Sequence, residues 1–143
     1  YTNRGIVKSR LQDDRSAIAD YSRAIEADPN NVESYLNRAN AKARLTDSKG
    51  ALEDFNKAVE IKPKSAEVYV QRGNFKYSRH DYRGALKDLD KAIKYNPRDS
   101  RAYLNRAMSK YYLGKRKSAC GDFSKAGEMG ESSAYDLMRN YCN

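Results

Sequence analysis

Apolar and small residues recur along this chain on one fixed period. The three prolines, Pro29, Pro63 and Pro97, stand 34 residues apart. On the same period Tyr1, Tyr35, Tyr69 and Tyr103 fall in one column, and Gly5, Ala39, Gly73 and Ala107 in another, four places later. Ala17, Ala51, Ala85 and Ala119 align, then Tyr21, Phe55, Leu89 and Phe123, then Ala24, Ala58, Ala92 and Ala126. Only the proline column is interrupted, by Glu131 in the fourth copy. Such a pattern is the mark of stacked supersecondary units, each of which buries its apolar face only against its neighbours.

Each unit reads as two helices. In the second, Asn31 is placed to cap a helix from Val32 to about Leu45, because its side-chain oxygen accepts from the orphan N–H groups of the first turn. Thr46-Asp47-Ser48 breaks that helix, and Asp47 or Ser48 caps a second one running to about Ile61. Pro63 closes the unit by forcing Lys62 out of helical geometry. Ser65 and Asp99 share the cap column of Asn31. At 100° per residue the first helix carries Tyr35, Arg38, Ala39 and Lys42 on one side, and Leu36, Asn37, Asn40 and Ala43 on the other. The small column lets the partner helix come close, and Tyr35 and Phe55 fill the space around it.

These columns resemble the tetratricopeptide repeat (TPR), a helix–turn–helix unit with an aromatic, a small residue, Ala, an aromatic, Ala and Pro at these offsets. The resemblance implies an all-α, right-handed α-solenoid forming one domain over residues 1–143. Its repeats fall at about 1–31, 32–65, 66–99 and 100–133, followed by a capping helix at 134–143 (AYDLMRNYCN). The first repeat lacks its opening residues, so a longer parent chain is expected. The strict period of 34 argues against the related PPR repeats, whose unit is slightly longer. The "NRG" and "NRA" stretches and the tail are similar in texture to small TPR proteins of bacteria, cyanobacteria especially.

The chain departs from the family in its charges. Arg4, Arg38, Arg72 and Arg106 stand where the family commonly has Leu, and Lys8, Lys42, Lys76 and Lys110 replace an aromatic. Asp20, Asp54, Asp88 and Asp122 recur in step in the second helices. Arg and Asp recurring together predict an ion-pair ladder inside each repeat, with the basic stems packing as apolar rods. The formal charge of +9 favours acidic partners, but a ladder makes much of it structural.

Composition trims the list of activities. His80 is the one histidine, and it sits at a turn where a polar residue is ordinary. With Cys120 and Cys142 it leaves too few ligands for a Cys/His zinc site, and no phosphate-binding glycine motif is present. A non-enzymatic chain with no metal or cofactor is the expectation. The two cysteines are read as free, buried thiols in a reducing compartment, although their positions let them approach each other. A cytoplasmic location is favoured, and no apolar run reaches the roughly 18 residues that membrane insertion needs.

Function therefore falls to a surface. The resemblance implies that the first helices line a concave groove. The face pointing away from each partner helix presents Asn3, Leu36, Asn37, Asn40, Val70, Gln71, Asn74, Tyr77, Leu104, Asn105, Met108 and Tyr111. Asn3, Asn37, Gln71 and Asn105 form an amide column that offers a donor and an acceptor to the backbone of an extended peptide. Asparagines serve peptide backbone in similar TPR superhelices. Leu36, Val70, Leu104, Met108, Tyr77 and Tyr111 are the expected anchors. The clamp for chaperone-tail carboxylates found in some TPR domains does not carry over. Asn40 fits it and Arg101 could serve, but Leu36 stands at its first Lys, Gln71 at its second Asn and Asn105 at its Arg.

The expected role is a scaffold or adaptor binding a protein or peptide partner, as a monomer or with weak self-association. Nucleic acid or another polyanion on the basic surface is the alternative, and self-association a third. Lys115-Arg116-Lys117 is a basic run where earlier repeats have an acidic turn.

Overall fold

The repeating caps and breakers produce the helices that the columns predict. In the computed structural model, which describes residues 2–10 and 13–143 with the side chains of 7–10 left aside, all regular secondary structure is α-helical. The helices are α1 (Thr2–Arg10), α2 (Asp14–Ala27), α3 (Val32–Arg44), α4 (Ser48–Ile61), α5 (Ala66–Ser78), α6 (Tyr82–Tyr95), α7 (Ser100–Tyr112), α8 (Arg116–Glu128) and α9 (Ser133–Tyr141). Tyr1 and the Lys8 side chain, members of two of the columns, lie outside the described residues.

Helix starts are set by side chains. Asp13, Asn31, Asp47, Ser65, Asp81 and Asp99 each accept from a backbone N–H in the first turn of the helix that follows. The turn between the two helices of a repeat needs one left-handed residue. Thr46 (φ 62°), His80 (φ 63°) and Gly114 (φ 77°) hold that place. Glu131 needs no proline, because Gly130 (φ 98°) ends α8 while the Glu131 N–H donates to the Ala126 carbonyl.

Among the described helix starts, two lack such a bond, the terminal α9 and, within the repeats, α8. Lys115 occupies its N-cap without a side-chain cap bond, and Arg116 and Lys117 place positive charge at the positive end of the helix dipole. Lys115→Asp is expected to stabilise the protein by about 1 kcal/mol in urea denaturation. A midpoint that does not move would show that the cap is immaterial here.

The chain folds as two units, Tyr1–Lys64 and Ser65–Asn143. In the first, α1 packs on α2, α2 on α3 and α3 on α4; in the second, α5, α6, α7, α8 and α9 pack each on the next. Ala17, Ala39, Ala51 and Ala58 are fully buried in the first unit, and Ala85, Ala92, Ala107, Ala119 and Ala126 in the second. The aromatic column fills the remaining space. Tyr21, Phe55, Leu89 and Phe123 are all buried, each contributing roughly 2 kcal/mol through the area it removes from water. The small column is a steric requirement. A Cβ at Gly5 would stand 2.6 Å from the Tyr21 ring.

Candidate functional site

An ion-pair ladder decides which charges remain for a partner. Arg4–Asp20, Arg38–Asp54, Arg72–Asp88 and Arg106–Asp122 each form two parallel N–H···O bonds of 2.6–2.9 Å. Lys42, Lys76 and Lys110 reach the same carboxylates of Asp54, Asp88 and Asp122 at 2.7–2.9 Å. The tyrosine column joins in. Arg38, Arg72 and Arg106 lie 5.5–5.7 Å from the ring centroids of Tyr35, Tyr69 and Tyr103, within cation–π range. The bonds to Asp54 hold the Arg38 guanidinium above its ordinary pKa. Two rungs also tie repeats together, Arg38 donating to the Ser22 hydroxyl and Arg106 to the Asp90 carboxylate. Much of the cationic inventory is thus spent on holding helices together.

In the first unit the amide face comprises Asn3 on α1 and Asn37 and Asn40 on α3. Asn3 is exposed, and Asn37 and Asn40 are half-buried. Asn37 Nδ2 is the one buried side-chain nitrogen or oxygen among the described residues without a hydrogen-bond partner. Such a donor normally costs on the order of 1–3 kcal/mol. Leu36 corrects the sequence expectation. It is only 5% exposed and belongs to the packed interior rather than to an open anchor. One turn of helix separates it from Asn40, and the wheel alone does not tell a packed position from an open one.

In the second unit α5 and α7 flank a pocket of about 340 Å³. Four sequence-predicted residues line it: Val70, Gln71, Asn74 and Asn105. Asn105 Nδ2 donates to Asn74 Oδ1 at 2.7 Å. That bond fixes both amides and leaves the Asn74 NH₂ as a donor beside the Asn105 carbonyl as an acceptor, which matches the C=O and N–H of a peptide backbone. Gln71 Nε2 is held by Glu67 Oε1 at 3.1 Å. Val70 supplies apolar wall. The sequence columns missed Glu67, Asn96 and Asp99, which also line the pocket, and placed Arg101 only in the failed clamp. Asn96 and Asp99 close the preceding repeat, so a reading confined to first helices passes them by. Asp99 is engaged as a cap, accepting from the Arg101 and Ala102 N–H groups.

The remaining four candidates are not brought to that pocket. Leu104, Met108 and Tyr111 pack around Ala107, Ala119 and Phe123 together with Leu137, Met138 and Tyr141 from the last helix. The Tyr141 ring lies 4.5 Å from that of Tyr111. These three are half-buried seats for α9 rather than open anchors, because a capping helix takes the face that a next repeat would take. Tyr77 sits in an aromatic cluster, 5.5 Å from Tyr82 and 6.1 Å from Tyr112. Burial, with the neighbouring Tyr112, pushes its phenol up to about 12, so it stays a neutral hydrogen-bonding group.

The cysteine expectation is also corrected. Cys120 of α8 and Cys142 after α9 form a disulfide. Their positions allow the approach, and how α9 folds back along α8 decides it. Arg116 secures the same end, donating to the carbonyls of Tyr141 and Asn143. Among the described residues no group of three His, Cys, Asp or Glu is arranged to hold a metal, and no helix is long and apolar enough to cross a membrane.

Comparison with known proteins agrees with this architecture. A model described as TPR repeat matches residues 11–45, and models described as tetratricopeptide repeat match 32–65 and 70–118. No curated protein matches the chain. Among solved structures, MamA is 25% identical with a TM-score of 0.81, the match covering 95% of this chain and 85% of MamA. PilW, titled a widely conserved type IV pilus biogenesis factor, is 29% identical with a TM-score of 0.80, over 87% of this chain and 58% of PilW. YrrB, titled a TPR protein with an unusual peptide-binding site, is 21% identical with a TM-score of 0.75, over 98% of this chain and 77% of YrrB.

Proposed function

We propose that this chain, which belongs to the tetratricopeptide repeat family, acts as a non-catalytic interaction module that receives an extended peptide segment of a partner on the α5–α7 face. The family and the fold support a protein-interaction scaffold. The observation that carries the finer reading is the Asn74–Asn105 pair at the pocket between α5 and α7. Two amides already bonded to each other have lost their rotamer freedom before the ligand arrives, so their remaining donor and acceptor meet a peptide unit at low entropic cost. Val70 supplies apolar contact beside them. The exposed Asn3 and the half-buried Asn37 and Asn40 give the first unit a second set of amides, of the same chemistry. Leu104, Met108 and Tyr111 contribute indirectly, by fixing α9.

Partner choice would rest mainly on backbone pairing and one or two apolar contacts, which suits a scaffold for extended segments of varied sequence. The disulfide argues for an oxidising compartment rather than the cytoplasmic one expected from sequence.

The test is a peptide-display selection on immobilised wild type, counter-screened on Asn74→Ala/Asn105→Ala. Both residues are at least partly exposed, so that variant should retain its helicity by circular dichroism. Peptides that survive high salt on wild type and lose at least tenfold in affinity on the variant are the expected result. Selected peptides that bind both proteins equally would remove the amide pair from the site.

A further inference from the structure

The ladder explains the cations inside the repeats and leaves a group at one edge unexplained. The turn from α5 to α6 with the start of α6 carries Arg79, His80, Asp81, Tyr82 and Arg83, and the end of α7 with the turn and the start of α8 carries Tyr112, Lys115, Arg116 and Lys117. A ring stack brings the two turns together. Tyr82 and Tyr112 lie 4.8 Å apart, 11° from parallel. Arg79, Arg83, Lys115 and Lys117 are exposed and form no ion pair among the described residues. The acidic residue of these turns, Asp81, is engaged in capping α6 through the Gly84 N–H.

We infer that this edge binds single-stranded nucleic acid, with a base stacking on Tyr112 and phosphates on the four surrounding cations. Tyr112 is 49% exposed although one side of its ring is covered by Tyr82, so aromatic surface is open to solvent. The platform is rigid before any ligand arrives. Tyr77 packs against both rings, and the Tyr82 hydroxyl is held 2.8 Å from His80 Nδ1. A pre-ordered aromatic ring amid unpaired cations matches the two recurring demands of single strands: stacking for the base and positive charge for the backbone. A duplex hides its base faces. An acidic peptide would use the cations and leave the stack idle. This surface is separate from the amide pocket, so either reading can fail alone.

Fluorescence anisotropy with a labelled mixed-sequence single-stranded DNA oligonucleotide tests the inference. Binding is expected at low salt, with a logarithmic salt slope of about −3, as four cations acting on a single strand imply. Tyr112→Ala should weaken it about tenfold at unchanged slope, and Tyr112→Phe should leave it intact, since the ring alone stacks. Arg83→Glu/Lys117→Glu should abolish it. No binding at low salt, equal affinity of Tyr112→Ala and Tyr112→Phe, or equal competition by polyglutamate or by the matching duplex would each overturn the assignment.

Discussion

Asp88→Ala is expected to destabilise the second unit by about 3–5 kcal/mol, a large share of the stability of a domain this size. Asp88 is 3% exposed, and its carboxylate accepts two bonds from Arg72, at 2.9 and 2.6 Å, with Lys76 Nζ at 2.9 Å. The Arg72 and Lys76 side chains are themselves only 15% and 20% exposed. Removing the carboxylate leaves two cations side by side in a poorly solvated seam. Their mutual repulsion adds to the desolvation cost that Asp88 had offset.

The reverse substitution separates that cost from any intrinsic worth of the pair. Arg72→Leu/Lys76→Tyr/Asp88→Leu restores the apolar residues that the family commonly carries at the two basic positions. Recovery to within about 1 kcal/mol of wild type is expected, since well-packed apolar groups often replace buried ion pairs at no loss. Urea denaturation followed by circular dichroism reads both variants. A single variant within 1 kcal/mol of wild type would mean that the seam is wetter than its geometry implies.

The rungs were legible in the sequence because both partners recur on the repeat period, so four copies vote on the same pairing. The helix limits were legible for the same reason. The helix break at Thr46-Asp47-Ser48 and the stop before Pro63 place α3 and α4 within a residue of where they form. Residues whose environment depends on the next element were not legible. Leu36 and Asn37 are neighbours on one helix face, yet Leu36 is buried and Asn37 is half-buried with a stranded donor. Leu104, Met108 and Tyr111 carry the right chemistry for peptide anchors, and the last helix uses that chemistry for its own docking. The pocket residues Asn96 and Asp99 and the stacked Tyr82 lie outside the first helices, to which the repeat columns assign the groove. Periodicity reveals what every repeat does, and it is silent on positions where one repeat differs from the others.

Reduction of the Cys120–Cys142 disulfide is expected to weaken the C-terminal end of the second unit by about 3 kcal/mol, the loop-closure value for a bridge of this span. The helix it holds is α9, nine residues long and too short to persist alone in water. Its remaining attachments are the buried Ala134, the Tyr141 ring between Tyr111 and Phe123, and the bonds from Arg116. In an array of repeats each element is stabilised by its neighbours, so the loss should start at the end and travel inward. Hydrogen exchange should therefore speed up first in α9 and next in α8, with α5 and α6 least affected. Cys142→Ser should reproduce the effect of reductant on wild type, and reductant should have no further effect on Cys120→Ser/Cys142→Ser. A loosened α9 uncovers Leu104, Met108 and Tyr111, the apolar face that the sequence pattern had marked as open, so peptides rich in apolar residues should bind the reduced protein more tightly than the oxidised one. Exchange in α9 that is the same before and after reduction would show that side-chain packing alone holds the cap, and the redox state would then have no route to that face.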